Sequence, residues 1–398
     1  MLTLSFGKIV AMSAVYIHIP FCVKRCCYCD FITYAGQQHL LPDYQKALQA
    51  ELDFYRQAIP RPLTSLYFGG GTPSVMPTAM IASTIAKAEH LFGFLADIEI
   101  NLEANPGTLS PVALSELHKA GVNRLSLGVQ SFNDAKLKTL GRIHDSRMAA
   151  ESIADAREAG FENLSLDLIF GLPGQSFDEW KLDLNKALEL EPDHLSLYSL
   201  ILEENTPLFR LVNSGKISLP EEDLVADMFE WAIDFLPRKG FHQYEISSWA
   251  RAEALESRHN KTYWQNLDYL GLGTAAHGRI ADWRYHNTDS IEEYIRRMSA
   301  DVPWAEESSP AADEIIPISK LDAMQEQMML GLRMTREGVS FQNFRQRFGL
   351  DADEVFQEQI SHLLKIGLVE RVKAKDGERL RLTRCGIMLG NQVFQEFV

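Results

Sequence analysis

At 398 residues, with 46% hydrophobic and 23% charged residues, the chain is long enough for one large domain and a smaller one. A net charge of −15 excludes a general nucleic-acid binder, which needs a basic surface to displace counterions. Four of the five cysteines stand between positions 22 and 29, which excludes a secreted disulfide framework and favours a reduced, cytosolic, metal-binding use.

The opening MLTLSFGKIVAMSA is apolar, but Lys8 interrupts the run and no positive charge precedes it, so it does not read as a signal peptide. Either Met1 or Met12 serves as the start, and the second choice leaves residues 1–11 as a disordered extension. No run approaches the roughly 18 apolar residues of a membrane span. The expectation is a soluble, cytoplasmic protein, with peripheral membrane contact left open.

From residue 14, short β-rich runs alternate with helical patterns. The runs are AVYIHIP (14–20), TSLYFGG (64–70), IEINLEA (98–104), RLSLGVQ (124–130), NLSLDLIFG (163–171) and HLSLYSLIL (194–202). Strands alternating with helices imply βαβ units and a parallel sheet, and six units predict an α/β fold built on a partial (β/α)6 barrel. Glu103, Gln130 and Asp167 fall at or near strand C-terminal ends, where the loops of such barrels carry chemistry. Each alone reads as a buried polar residue or a helix cap; their recurrence on one rim favours a shared site.

After residue 205 the pattern loosens into helices and loops. The barrel with this following segment is assigned to 12–304 and a linker to 305–320, around EESSPAADE. A C-terminal domain over 321–398 shows helical patterns, then a hairpin turning at Asp376–Gly377, as in a winged helix. Its basic and acidic residues balance, so it reads as a structural cap.

Cys22, Cys26 and Cys29 form C-x3-C-x2-C. Three thiolates in one tight loop suit three irons of a [4Fe–4S] cube, leaving the fourth iron open. Zinc is the alternative, but a structural zinc site needs four protein ligands, and no second C-x2-C or H-x3-H lies nearby. Cys27 breaks the spacing and reads as a spare thiol; Cys385 reads as a buried small hydrophobe.

This cysteine pattern after a first barrel strand, with GGGTP after the second, resembles the radical S-adenosylmethionine superfamily. The resemblance implies a [4Fe–4S] cluster whose open iron is chelated by S-adenosylmethionine and which reduces the sulfonium to release a 5′-deoxyadenosyl radical. Y-I-H-I-P-F-C, GGGTP, G-V-Q-S-F, the Arg142 region and D-L-I-F-G-L-P are similar, in order across residues 14–280, to the oxygen-independent coproporphyrinogen III oxidase branch. Carried over position by position, it implies that Tyr16, Tyr28, Gly70, Gly71, Thr72, Glu103, Gln130, Arg142 and Asp167 line the S-adenosylmethionine site. Glu103 suits the cationic amine, Arg142 the carboxylate, Asp167 the ribose hydroxyls and Tyr16 the cluster side.

Two departures from the oxidases matter. Their pattern resembles C-x3-C-x2-C-x-C, but Phe31 stands at the last position, and their long segment before the cluster has no counterpart here. One addition matters too: HNKTYW, residues 259–264, resembles the H-N-x-x-Y-W signature of the heme chaperones in this branch. That resemblance implies a protein that binds heme and transfers it to an acceptor protein. His259 is the expected iron ligand, Tyr263 or Trp264 the ring partner, and Arg258 and Lys261 the propionate cations. A lone histidine is by itself weak ground for a ligand. The rival activity is oxidative decarboxylation of coproporphyrinogen III.

Overall fold

The computed structural model describes residues 13–299, 309–375 and 377–398. Six strands arise where the sequence alternates: β1 (Ala14–Ile19), β2 (Leu63–Gly70), β3 (Phe94–Ala104), β4 (Arg124–Gln130), β5 (Leu164–Phe170) and β6 (His194–Ser199). Each pairs in parallel with the next. Their near-continuous Leu, Ile and Val content follows from burial on both faces; in β5, six of the seven residues are buried and only Asp167 is partly open. Helices cross between them and seat one apolar stripe on the sheet, as Leu48 and Leu52 of Leu41–Phe54 do. Side-chain caps at Ser110, Asn133, Asp145 and Ser176 fix where four of these helices begin, so the strand C-terminal ends open onto one rim.

The segment after residue 205, expected as helices and loops, holds the helices Pro207–Asn213 and Glu222–Phe235 and also enlarges the sheet. Strands β7 (His242–Glu245) and β8 (Ser248–Ala250) extend it antiparallel beyond β6. On the opposite edge β9 (Tyr269–Leu272) pairs in parallel with β1, and β10 (His277–Ile280), β11 (Trp283–Asn287) and β12 (Ala312–Pro317) follow antiparallel. Among the described residues the sheet therefore has twelve strands in the order β12-β11-β10-β9-β1-β2-β3-β4-β5-β6-β8-β7. Strand β12 occupies six residues of the expected 305–320 linker. Its residues are almost all exposed, as an edge strand allows, which is why they read as a connection.

A second core, around Met328, Phe344, Ile360, Leu363, Leu380 and Val393, belongs to the C-terminal domain. Helices Lys320–Gly331, Phe341–Phe348 and Gln357–Lys365 pack on a three-stranded sheet of β13 (Val339–Ser340), β15 (Gly377–Leu382) and β14 (Val369–Ala374). This is the expected winged-helix arrangement, with Ala374 paired to Gly377 across the hairpin; Asp376 lies outside the described residues. Cys385 is exposed rather than buried. Among the described residues no helix is long and apolar enough to cross a membrane.

Candidate cofactor site and an adjoining cleft

The cysteine loop is set against the second strand before any cofactor is considered. Gly71 N donates to Ile19 O at 2.9 Å and Thr72 N to Phe21 O at 2.9 Å, while Phe21–Cys22 pairs with Tyr34–Ala35. A Cβ on Gly71 would lie 2.8 Å from Phe21 O, and one on Gly70, at φ +110°, would lie 2.7 Å from the His18 ring. The glycines at the end of β2 are therefore needed for close approach of the loop and of His18.

Cys22, Cys26 and Cys29 line one cavity of about 470 Å³ at the strand C-terminal rim; Cys27 does not. Cys27 is turned aside, its Sγ 3.0 Å from Thr139 O and its amide donating to Leu140 O at 3.1 Å. No fourth cysteine and no histidine lines the cavity among the described residues, so its donor set fits a three-thiolate cluster better than zinc. Among the described residues, no three metal-ligating side chains converge at the spacing of a single ion.

Tyr28, Gly70, Gly71, Thr72, Glu103, Gln130, Arg142 and Asp167 line the same cavity. Glu103, at the end of β3, accepts from Tyr67 OH at 2.7 Å and Gly70 N at 3.3 Å. Burial, with the Asp167 carboxylate adding to it, pushes its carboxyl up to about 7. Gln130 ends β4 with a left-handed φ of 67°. Arg142 donates to Gly128 O at 2.6 Å, to Asn105 Oδ1, and to Cys26 Sγ at 3.4 Å; among the described residues its buried Nε has no hydrogen-bond partner. Asp167 accepts from Ser126 Oγ at 3.1 Å, and burial raises its carboxyl. The rim thus sets carboxylates on one side and a guanidinium beside the thiols on the other, a dipolar cavity suited to a zwitterion. Asn105 was not singled out in the sequence, although it follows Glu103 by two residues in EANPGT; its Nδ2 donates to Thr72 Oγ1 at 3.0 Å, tying Thr72 to Arg142.

Two expected residues sit elsewhere. Tyr16 lines a neighbouring cleft of about 330 Å³, with its hydroxyl 3.1 Å from His18 Nδ1. His259 is 1% exposed, beneath the sheet in the helix Arg258–Trp264. Its Nδ1 is 2.9 Å from Ser65 Oγ and its Nε2 2.7 Å from Tyr263 OH, and it stacks on Tyr67 at 4.7 Å. With both ring nitrogens engaged and burial lowering its pKa to about 3, this histidine does not present a ligand to an open cavity. Arg258 and Lys261 are also committed, to Asp97 at 3.0 Å and Glu256 at 2.7 Å. In this structure the side chains expected to meet heme are packed against other parts of the chain. Trp264 lies under the Arg333 guanidinium, 4.2 Å from its carbon.

Residues 16–187 match the Radical SAM superfamily model and residues 318–389 the HemN C-terminal domain model. The chain is 38% identical to the heme chaperone HemW of Bacillus subtilis, covering 97% of this chain and 99% of that protein. It is 33% identical to the heme chaperone HemW of Haemophilus influenzae, covering 97% of each. The chain belongs to the HemW family of radical SAM proteins. In structure it is similar to coproporphyrinogen III oxidase (HemN) from Escherichia coli, with a TM-score of 0.80 and 25% identity over 97% of this chain and 90% of that one. The shared fold extends into the C-terminal domain, so the family's two halves come together in this chain.

Proposed function

We propose that this protein is a cytoplasmic heme chaperone that takes up heme as cargo and passes it to an acceptor protein. The observation that carries this reading is 33–38% identity over at least 97% of the chain to proteins named heme chaperone HemW. A second feature supports it: exposed Phe31 stands where the resembling oxidases carry a further cysteine.

In this reading Cys22, Cys26 and Cys29 hold three irons of a [4Fe–4S] cluster, and the same cavity takes S-adenosylmethionine. The cluster supplies one electron to a sulfonium when both are bound. Glu103 accepts hydrogen bonds from the methionyl ammonium, Arg142 pairs with its carboxylate, and Asp167 accepts from the ribose hydroxyls. Gly70, Gly71 and Thr72 bring backbone against the cofactor, while Tyr28 and Gln130 shape the wall.

The test is delivery. Reconstituted, heme-loaded protein is incubated with heme-depleted bacterial membranes, and heme gained by membrane proteins is followed by absorbance. Faster filling than from free heme at equal concentration supports the reading; equal rates sink it.

A further inference from the structure

Heme brings two carboxylates as well as a ring, and the cations first expected to meet them are taken, Arg258 by Asp97 and Lys261 by Glu256. Two other arginines stand near the far end of the same helix. Trp264, Gln265 and Leu267 form one wall of a cleft of about 260 Å³ at the seam between the large sheet and the C-terminal domain. Asn343, Phe344 and Arg347 of the helix Phe341–Phe348, with Val339 and with Arg379 of β15, form the opposite wall. The seam is bonded across: Asn266 Nδ2 donates to Ala323 O at 3.2 Å, and Arg347 donates to Asn266 O at 2.8 Å.

The lining is apolar with a surplus of positive charge. Arg347 gives its hydrogen bonds to neutral oxygens, Asn266 O and Gln327 Oε1 at 2.6 Å, and forms no ion pair among the described residues. Burial and the nearby Arg279 charge lower its pKa to about 10, against the pull of Asp268, Glu326 and Asp282. A guanidinium held out of water beside another cation is stabilised by an anion that reaches it. Arg379 donates to Glu337 O at 3.2 Å. Glu337 is the one acidic residue lining the cleft among the described residues, and its carboxylate lies 3.9 Å from both Lys261 and Arg379. The indole N–H of Trp264 is buried with no hydrogen-bond partner among the described residues, so this wall too has a donor to give.

At this size the cleft takes one edge of a porphyrin rather than the whole ring. We propose that it receives the propionate-bearing edge of the heme cargo, with Arg347 and Arg379 meeting the two carboxylates and Trp264 and Leu267 packing on the ring. This rests on the carrier reading above and moves the propionate contacts from Arg258 and Lys261 to the C-terminal domain. Iron ligation by His259, in the same helix as Trp264, requires its contacts with Ser65 and Tyr263 to open. The propionate contacts are tested apart from that step.

The experiment titrates the reconstituted full-length protein with heme and with heme dimethyl ester, in which both carboxylates are blocked, followed by absorbance. Wild type should bind heme at least about tenfold tighter than the ester. Arg347→Gln and Arg379→Gln should each weaken heme about fivefold and leave the ester unchanged, the loss being larger at low salt. Arg347→Lys, which keeps the charge, should lose less, and Glu337→Gln should tighten heme about threefold. Unchanged heme affinity in both arginine-to-glutamine variants overturns the assignment. So does an equal loss for heme and ester, which marks a packing role, or a wild type that does not distinguish the two. Absence of saturable heme binding in wild type overturns the carrier reading itself.

Discussion

Replacing Glu103 by glutamine should make the cofactor-free protein more stable at pH 8 while weakening its grip on S-adenosylmethionine. The carboxyl sits at about 7 in the folded chain against an ordinary 4.5, chiefly because burial disfavours its charge. Between those values the unfolded chain has released its proton and the folded chain has not, so stability falls as pH rises across that window and the cost is complete above pH 7. At about 1.4 kcal/mol per tenfold, the full effect is roughly 3 kcal/mol. Glu103 is only half-buried and faces an open cavity, so solvent screening reduces the realised cost to about 1–2 kcal/mol. Urea denaturation of wild type and Glu103→Gln should therefore nearly coincide at pH 4.5 and separate by that amount at pH 8, with the variant more stable. Its affinity for S-adenosylmethionine at pH 8 should drop at least tenfold, because an amide loses the charge-assisted contact to the ammonium. A variant less stable than wild type at pH 8, or a difference independent of pH, would refute the strained-carboxylate argument.

Iron and sulfide analysis after anaerobic reconstitution should give about four of each in wild type and in Cys27→Ser, with loss in Cys22→Ser, Cys26→Ser or Cys29→Ser; loss confined to Cys27→Ser would reverse the ligand choice. Arg142→Ala should weaken S-adenosylmethionine binding at least tenfold in equilibrium dialysis without unfolding the barrel, and unchanged affinity would place the carboxylate elsewhere. Gly71→Ala should destabilise the protein by about 1–3 kcal/mol in urea, since its Cβ would press on the backbone at Phe21 O. Neutral behaviour there would show that the cysteine loop yields.

The six βα units and the thiol pattern were legible because both are local signals: apolar runs long enough to be strands, and four cysteines within eight positions. The added strands were not, since β9 has only four residues and β7 to β12 take their order from distant partners. Glu51 shows the limit most plainly. Within the helical run LPDYQKALQAELDF nothing local names its partners, yet it is fully buried among groups more than 200 residues away. His259 shows the opposite case. Its motif was visible, but burial is set by Ser65 and Tyr67 on another strand, and no spacing within HNKTYW reports that.

Carrier and oxidase share this fold, so the decisive measurement is turnover. Reconstituted protein should be given coproporphyrinogen III, S-adenosylmethionine and a low-potential reductant under anaerobic conditions, with products separated by chromatography. The account predicts no protoporphyrinogen IX, while the same preparation binds heme saturably. Multiple-turnover formation of protoporphyrinogen IX would contradict it.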